Sequence, residues 1–275
     1  RRSGTRGGSS HGGRPGEGAP RTATLALGAA VAFLRGARRA PPDKQVGVAR
    51  RIGFFSGLAL VYFVMQTQFD YLSQHMFYIH RLQHLVLHHA GPFLIALSQP
   101  QAVIARGLPQ RLHERVLTPA WRHPLAQGAY RLLQNWFVAP VLFVGLIYLW
   151  LTPEIHFYAM LNGPLYHVMN WSMLLDGLLF WFLMLDPRSK EQGALLGLGT
   201  RIGLLLAAAV PQVLLGAHIA FATHDLFDVY AICGRAWTID PLEDQQLGGL
   251  ITWIPAAMMH VIGTLVVLSR WMRSK

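Results

Sequence analysis

Charge is what this sequence has least of. Only 13% of its 275 residues are Asp, Glu, Lys or Arg, about half the share of an ordinary soluble protein. Acids are scarcer than bases, 13 against 24 Lys and Arg, so the formal net charge is +11. Cysteine is almost missing. Cys233 stands alone, which excludes an internal disulfide framework and any metal site built from cysteine only. There is also no Gly-rich phosphate loop, no HExxH, no GxSxG and no CxxC. Nucleotide use and nucleophilic hydrolysis therefore have no footing. What remains is apolar, 52% hydrophobic with a mean hydropathy of +0.32. Histidines number 13, as many as the acids. Low charge points to a membrane protein, and strong basicity to nucleic acid if the arginines form one patch. Their positions decide.

Residues 1–21 are rich in Gly, Arg and Ser and have almost nothing to bury, so they read as a disordered basic tail. Residues 22–275 read as a single transmembrane helical domain. Its first apolar run, Thr22 to Leu34, falls short of the ~20 residues that cross a bilayer. It is either a shortened first span or an interfacial segment. Longer apolar stretches follow at 52–67, 76–97, 136–151, 166–185, 202–222 and 248–269. They lack period-two alternation, which favours helices over barrel strands. The expected fold is an all-α, polytopic transmembrane helical bundle with six spans and a shortened first one, a seven-helix plan. Trp136 and Trp150 bracket one stretch as interfacial aromatics would.

The bases sort by connection. Arg35, Arg38, Arg39, Lys44, Arg50 and Arg51 fill one loop, and Arg106, Arg111, Arg115, Arg122 and Arg131 another. Arg188, Lys190 and Arg201 lie between the next pair of stretches, and Arg270, Arg273 and Lys275 close the chain. The alternate connections hold one base, Arg235, with Asp70, Glu154, Asp225, Asp228, Asp240, Glu243 and Asp244. By the positive-inside rule the basic loops and the C-terminus are cytoplasmic and the acidic connections face outward. No basic groove is left over for nucleic acid.

Histidine is the surplus that needs a function. His80, His84 and His88 recur every four residues, about 40° apart on one helical stripe. Two imidazoles at that spacing can hold one metal ion, whereas a lone histidine in a span more simply hydrogen-bonds a neighbouring helix. His80 is expected near the outer surface and His88 deeper. His75 and His89 fall off the stripe and read as interfacial or packing residues. His167 lies at the depth of His80 on the fifth stretch, with Asn170 on its next turn. Met169, Met173 and Asp176 form a second stripe. Thioether with imidazole suits Cu(I), although methionine is also ordinary core filler. Asp176, a carboxylate inside a span, is a ligand partner, a proton relay or half of a buried pair. Arg81 is expected to snorkel outward or to pair with an acid. His218 ends the sixth stretch. His224, Asp225, Asp228, Cys233, Asp240, Glu243 and Asp244 crowd the long outer connection after it. Cys233 reads equally as a soft ligand or a small buried residue, and His260 as a packing residue. His75, His80, His84, His156, His167, His218 and His224 all map to the outer half. Haem held by two histidines on opposed helices is the rival reading, within a haem- or quinone-linked electron-transfer subunit. A metal or small-solute permease working through Asp176 and the stripe is a third.

The segment IHRLQHLVLHHAGPFLIALSQP resembles the signature of the CtaG-like cytochrome c oxidase assembly factors. The likeness continues through WLTP, YHVMNWSMLLDGLLFWFLMLDPR and HDLFDVYAICGRAWTIDPLEDQQLGGLITWIPAAMM, covering about residues 30–270. It implies a non-enzymatic, multi-pass protein of the bacterial plasma membrane that helps mature a haem–copper oxidase, with copper handled transiently on the extracytoplasmic side. Oxidase subunits, other copper chaperones and the lipid bilayer are the implied partners. On the family pattern His80, Gln83 and His84 match the H-x-x-Q-H core, His167 the later histidine, and Asp244 and Gln245 the acidic pair before the last helix. The chain departs from that pattern at Leu151, where Trp-His-x-Pro is common, and at Asn170 and Trp171, where a second histidine is common. The expected metal set is therefore His80, His84, His167 and His218. Its supporting residues are His88, Gln83, Asn170, Met169, Met173, Asp176, His224, Asp225, Cys233, Asp244 and Gln245.

Overall fold

A computed structural model describes residues 19–273 as helices joined by short connections, with no strand among the described residues. In chain order these are α1 (Ala19–Arg38), α2 (Val48–Gln66), α3 (Gln68–Ser73), α4 (Phe77–Leu85), a π-helical turn over Val86–Ala90, and α5 (Gly91–Ser98). Then come α6 (Gln101–Gly107), α7 (Gln110–Leu112), a second π turn over His113–Leu117, α8 (Thr118–Arg122), α9 (Pro124–Leu133) and α10 (Val138–Leu151). The chain ends with α11 (Pro153–Leu161), α12 (Gly163–Met184), α13 (Leu198–Ala220), α14 (Val229–Cys233) and α15 (Pro241–Arg273).

Local chemistry sets several boundaries. Pro124, Pro153 and Pro164 stand in the first turns of α9, α11 and α12, where a missing N–H costs nothing. The Asn162 side chain caps α12 by accepting from Leu165 N at 3.0 Å. Thr67 caps α3 in the same way, accepting from Phe69 N at 3.1 Å.

All six long apolar stretches are helical, but they differ as candidate membrane spans. Three helices among the described residues, α2, α13 and α15, are long and apolar enough to cross a membrane. A fourth candidate is the pair α9 and α10, bent by 73° at the break between them. The stretch 76–97 is interrupted by the π turn, and 166–185 carries His167, Asn170 and Asp176 inside α12. The tail expected over 1–21 lies outside the described residues up to position 18. At Ala19 the helix α1 already begins, and it packs against α6 and α2. Gly36 and Gly107 make the first of these crossings possible. A Cβ at Gly36 would lie 1.8 Å from the Val103 carbonyl oxygen, and one at Gly107 would lie 1.7 Å from that of Ala32. Trp136 is 57% exposed, as an interfacial ring should be, but Trp150 is 6% exposed and corrects the bracket. Its Nε1–H donates to Ser172 Oγ at 3.0 Å inside the bundle.

Two apolar clusters fill the bundle. One gathers Phe77, Trp150, Tyr166, Met169, Phe227 and Tyr230. The other gathers Phe93, Phe143, Phe180, Trp181 and Val267. The α13–α15 pair is the most extensive packing, with α4 against α15, α2 against α5, and α12 against both α5 and the first π turn. The polar side chains sort between these two clusters.

Candidate functional site

At the first cluster, α4, α11, α12 and α14 each send one polar group or more to the same place. His156 Nδ1 lies 2.9 Å from the Trp150 carbonyl oxygen, which can only accept. The ring therefore carries its proton on Nδ1. Burial, reinforced by the Arg81 cation, pushes this imidazole down to about 3, so it is neutral and its Nε2 is a lone pair. That lone pair takes the Tyr230 hydroxyl proton across 3.0 Å. The Tyr230 oxygen is then left to accept, and His80 Nδ1–H donates to it at 2.8 Å. The relay fixes the tautomer of His80, whose remaining lone pair on Nε2 faces His84 Nε2 at 2.9 Å. Asn170 Oδ1 stands 3.0 Å from the same His84 nitrogen. His84 Nε2–H is thus shared between an imidazole lone pair and an amide oxygen. His84 Nδ1 is buried with no partner.

A second layer holds α4 in position. Tyr166 donates to Asp70 Oδ1 at 2.8 Å, and Gln83 Nε2–H donates to the same oxygen at 2.8 Å and to the Val64 carbonyl at 2.8 Å. Burial pushes the Asp70 carboxyl up, against the hydrogen bonds from Tyr166 and Gln83. Asp244 reaches from α15 to accept from Phe77 N at 3.1 Å and Tyr78 N at 2.9 Å. It satisfies the free amides at the start of α4, where a negative charge also suits the helix dipole. Arg235 Nε lies 3.4 Å from Asp244. Gln245 accepts from Leu226 N at 2.6 Å and donates to the His224 carbonyl at 3.1 Å, tying the outer connection to α15.

The π turn divides the histidine stripe. Gly91 N bonds Val86 O, five residues back, and this wider turn rotates the residues beyond it about the helix axis. His88 and His89 both become buried, their ring centroids 5.1 Å apart. His88 Nε2 pairs with Asp176 Oδ2 at 3.1 Å and its ring stacks on Phe143 at 4.0 Å. His89 meets Gln212 at 3.3 Å, and His260 Nε2 meets Gln212 Oε1 at 3.0 Å. His89 and His260, expected as packing residues, thus share one glutamine of α13. Gly177 lets α12 approach this turn, since a Cβ there would lie 2.6 Å from the His88 carbonyl oxygen.

Several expected members are elsewhere. His167 and His218 are exposed and join neither His80 nor His84. His224 is exposed as well, and Asp225 turns back to cap Phe227 N at 2.9 Å. Among the described residues no three His, Cys, Asp or Glu side chains form a group that could hold a metal ion. Met169 and Met173 lie in the apolar cluster beside Trp150. Cys233 packs against that cluster, and burial pushes its thiol up, away from the thiolate a soft metal needs. His80 is fully buried inside the bundle. Arg81 neither snorkels nor pairs with an acid. It is 3% exposed, and its guanidinium sits over the Phe77 ring at 5.8 Å. His156 and Tyr230 were absent from the expected site. The spacing of a sequence carries no sign of either, because both arrive from short helices in separate connections.

A family model described as cytochrome c oxidase caa3 assembly factor matches residues 30–274. An uncharacterized protein of Mycobacterium bovis is 25% identical over 268 residues, covering 90% of this chain and 37% of the relative. An uncharacterized protein of Mycobacterium tuberculosis matches at the same identity and the same coverage. The chain thus spans a little over a third of the length of these curated relatives. No solved structure matches.

Proposed function

Because the chain belongs to the cytochrome c oxidase caa3 assembly factor family, we propose that it holds a Cu(I) ion, as cargo, between His80 and His84 and gives it up to an oxidase subunit. The relay through His156 and Tyr230 is the observation that carries this reading. It leaves the His80 Nε2 lone pair aimed at His84 Nε2 across 2.9 Å, and a soft monovalent cation can replace the proton now shared there. That exchange moves the His84 proton to Nδ1, the nitrogen with no partner. Two nitrogens are a sparse donor set. Sparse coordination fits transient cargo, since handover requires release as well as capture.

The imidazole that the family pattern puts at the position of Leu151 has a counterpart here. His156 returns to within 2.9 Å of the Trp150 carbonyl and reaches His80 through Tyr230. A porphyrin would need imidazoles on facing helices with a slot between them. His80 and His84 lie on one helix with their nitrogens in hydrogen-bond contact, which favours a small ion. In this reading the end that carries Asp70, His156 and Asp244 faces outward, the basic loops and the C-terminus face the cytoplasm of a bacterial plasma membrane, and no reaction is catalysed. Oxidase subunits and copper chaperones are the partners.

The test is a Cu(I) competition titration of the purified protein. About one equivalent is expected, lost in His80→Ala and in His84→Ala but retained in His167→Ala. Copper binding that survives both of the first two substitutions would remove the site. Oxidase copper content in cells carrying His84→Ala should fall along with it.

A further inference from the structure

We propose that Arg81 anchors a binding site for a small monovalent anion of chloride size, in the cavity lined by α4, the first π turn, α10, α12 and α15. The cavity measures about 20 Å3 and is lined by Arg81, His84, His88, His89, Met173 and Thr252, among others. That is room for one water-sized particle or a single-atom ion, and too little for a polyatomic anion.

The charge of Arg81 is unbalanced. Its side chain is buried, and Nε and Nη2 have no hydrogen-bond partner. The guanidinium keeps its proton in proteins, so it cannot relieve its burial by becoming neutral. Every carboxylate that approaches the same region is committed elsewhere. Asp176 pairs with His88, and Asp244 pairs with Arg235 and caps α4. No ion pair among the described residues includes Arg81. Its guanidinium rests instead on the face of Phe77, a weak substitute for a counter-ion. A buried cation without an anion is strongly unfavourable, and an open cavity at its side is where an anion would go.

The lining selects the ligand. His89 Nδ1 has no partner while its Nε2 can accept from Gln212 Nε2, so one proton donor beyond the guanidinium is at hand. Ile147, Met173 and Ala256 supply apolar wall, which suits a weakly hydrated halide better than a strongly hydrated ion. The anion site stands apart from the copper reading, since each of its tests is made without copper.

The experiment uses the full chain purified in detergent with gluconate as the only small anion. Chloride or bromide is added at constant ionic strength while the thermal unfolding midpoint is followed. A ligand that binds only the folded state raises that midpoint. We expect a saturable rise with chloride and bromide and none with sulfate, which is too large for the cavity. The rise should vanish in Arg81→Met. In Arg81→Lys, which keeps the charge but loses the planar fork, the half-saturating chloride concentration should increase about tenfold. Line broadening of 35Cl in NMR reports binding to the wild-type protein without reference to any variant's stability. Equal midpoints in chloride and gluconate, with no 35Cl broadening, would mean that the cavity holds water only and would overturn the proposal. So would an equal response to sulfate, which would place the effect on the surface arginines, or a chloride response unchanged in both Arg81 variants.

Discussion

Removing one oxygen atom separates the two roles of Tyr230. In Tyr230→Phe the ring keeps its edge contact with Phe77, at 5.8 Å between centroids. His80 and His156 lose the hydroxyl that joins them. Groups that orient a metal ligand from behind are commonly worth 10–100-fold in affinity. Cu(I) affinity should therefore fall by at least about tenfold with helix content unchanged, as circular dichroism and competition titration together would show. An unchanged affinity would mean that His80 needs no help in presenting its nitrogen. Asp176 makes a different prediction. Asp176→Leu strands His88 and should cost about 1 kcal/mol of stability in detergent, the scale of a polar contact between membrane helices. Asp176→Asn, which keeps an acceptor oxygen, should recover most of it. The i, i+4 spacing exposed His80 and His84 to a reader of the sequence. His167 and His218 were expected from depth along their helices and, for His167, from the family pattern, and the structure brings neither to His80 or His84. Depth along a helix says nothing about azimuth. The buried face of α12 runs through Tyr166, Asn170, Met173 and Gly177, and His167 lies one residue, about 100°, away from it. On α13 the buried face runs through Leu205, Ala208, Gln212, Gly216 and Ile219, which excludes His218. Gln212, a polar residue on an otherwise apolar face, was the available signal.

Among the elements, the α1–α6 crossing and the first π turn carry most of what the pattern of residues could not reveal. The α1–α6 contact rests on two glycines whose neighbours are backbone atoms, which cannot step aside. Gly36→Leu should therefore destabilise the protein by about 1–3 kcal/mol, as overpacking does elsewhere. Gly28→Leu, on the same helix with nothing within 4 Å, should change the unfolding midpoint little. Equal effects of the two substitutions would show that α1 is held by something other than this approach. Helical stretches were legible because apolar runs without alternation leave few other structures open. The π turn was not. Nothing in VLHHA announces an extra residue in the turn, which carries His88 and His89, both buried.

For the whole molecule, the uneven distribution of bases is the testable quantity. With the basic loops in the cytoplasm, green fluorescent protein fused after Lys275 should fluoresce, and alkaline phosphatase at the same point should be inactive. The reverse result would invert the bundle and place the histidine cluster on the cytoplasmic side. The all-helical architecture was legible as a sequence of apolar stretches, three of which form helices long and apolar enough to cross a membrane. The meeting of α4, α11, α12 and α14 at His80 was not, because contacts between residues 80 and 230 have no local signature. One of those distant contacts has a consequence in time. The amides at the start of α4 are satisfied by Asp244, 167 positions later than Phe77. A ribosome making this chain has already released His80 and His84 into the membrane when Asp244 is still unmade. Until α15 arrives, the first turn of α4 lacks its acceptor and the histidine pair lacks a firm base. On the copper reading, the nascent chain is therefore a poor trap for stray metal, and competence to carry cargo begins only once α15 has been made.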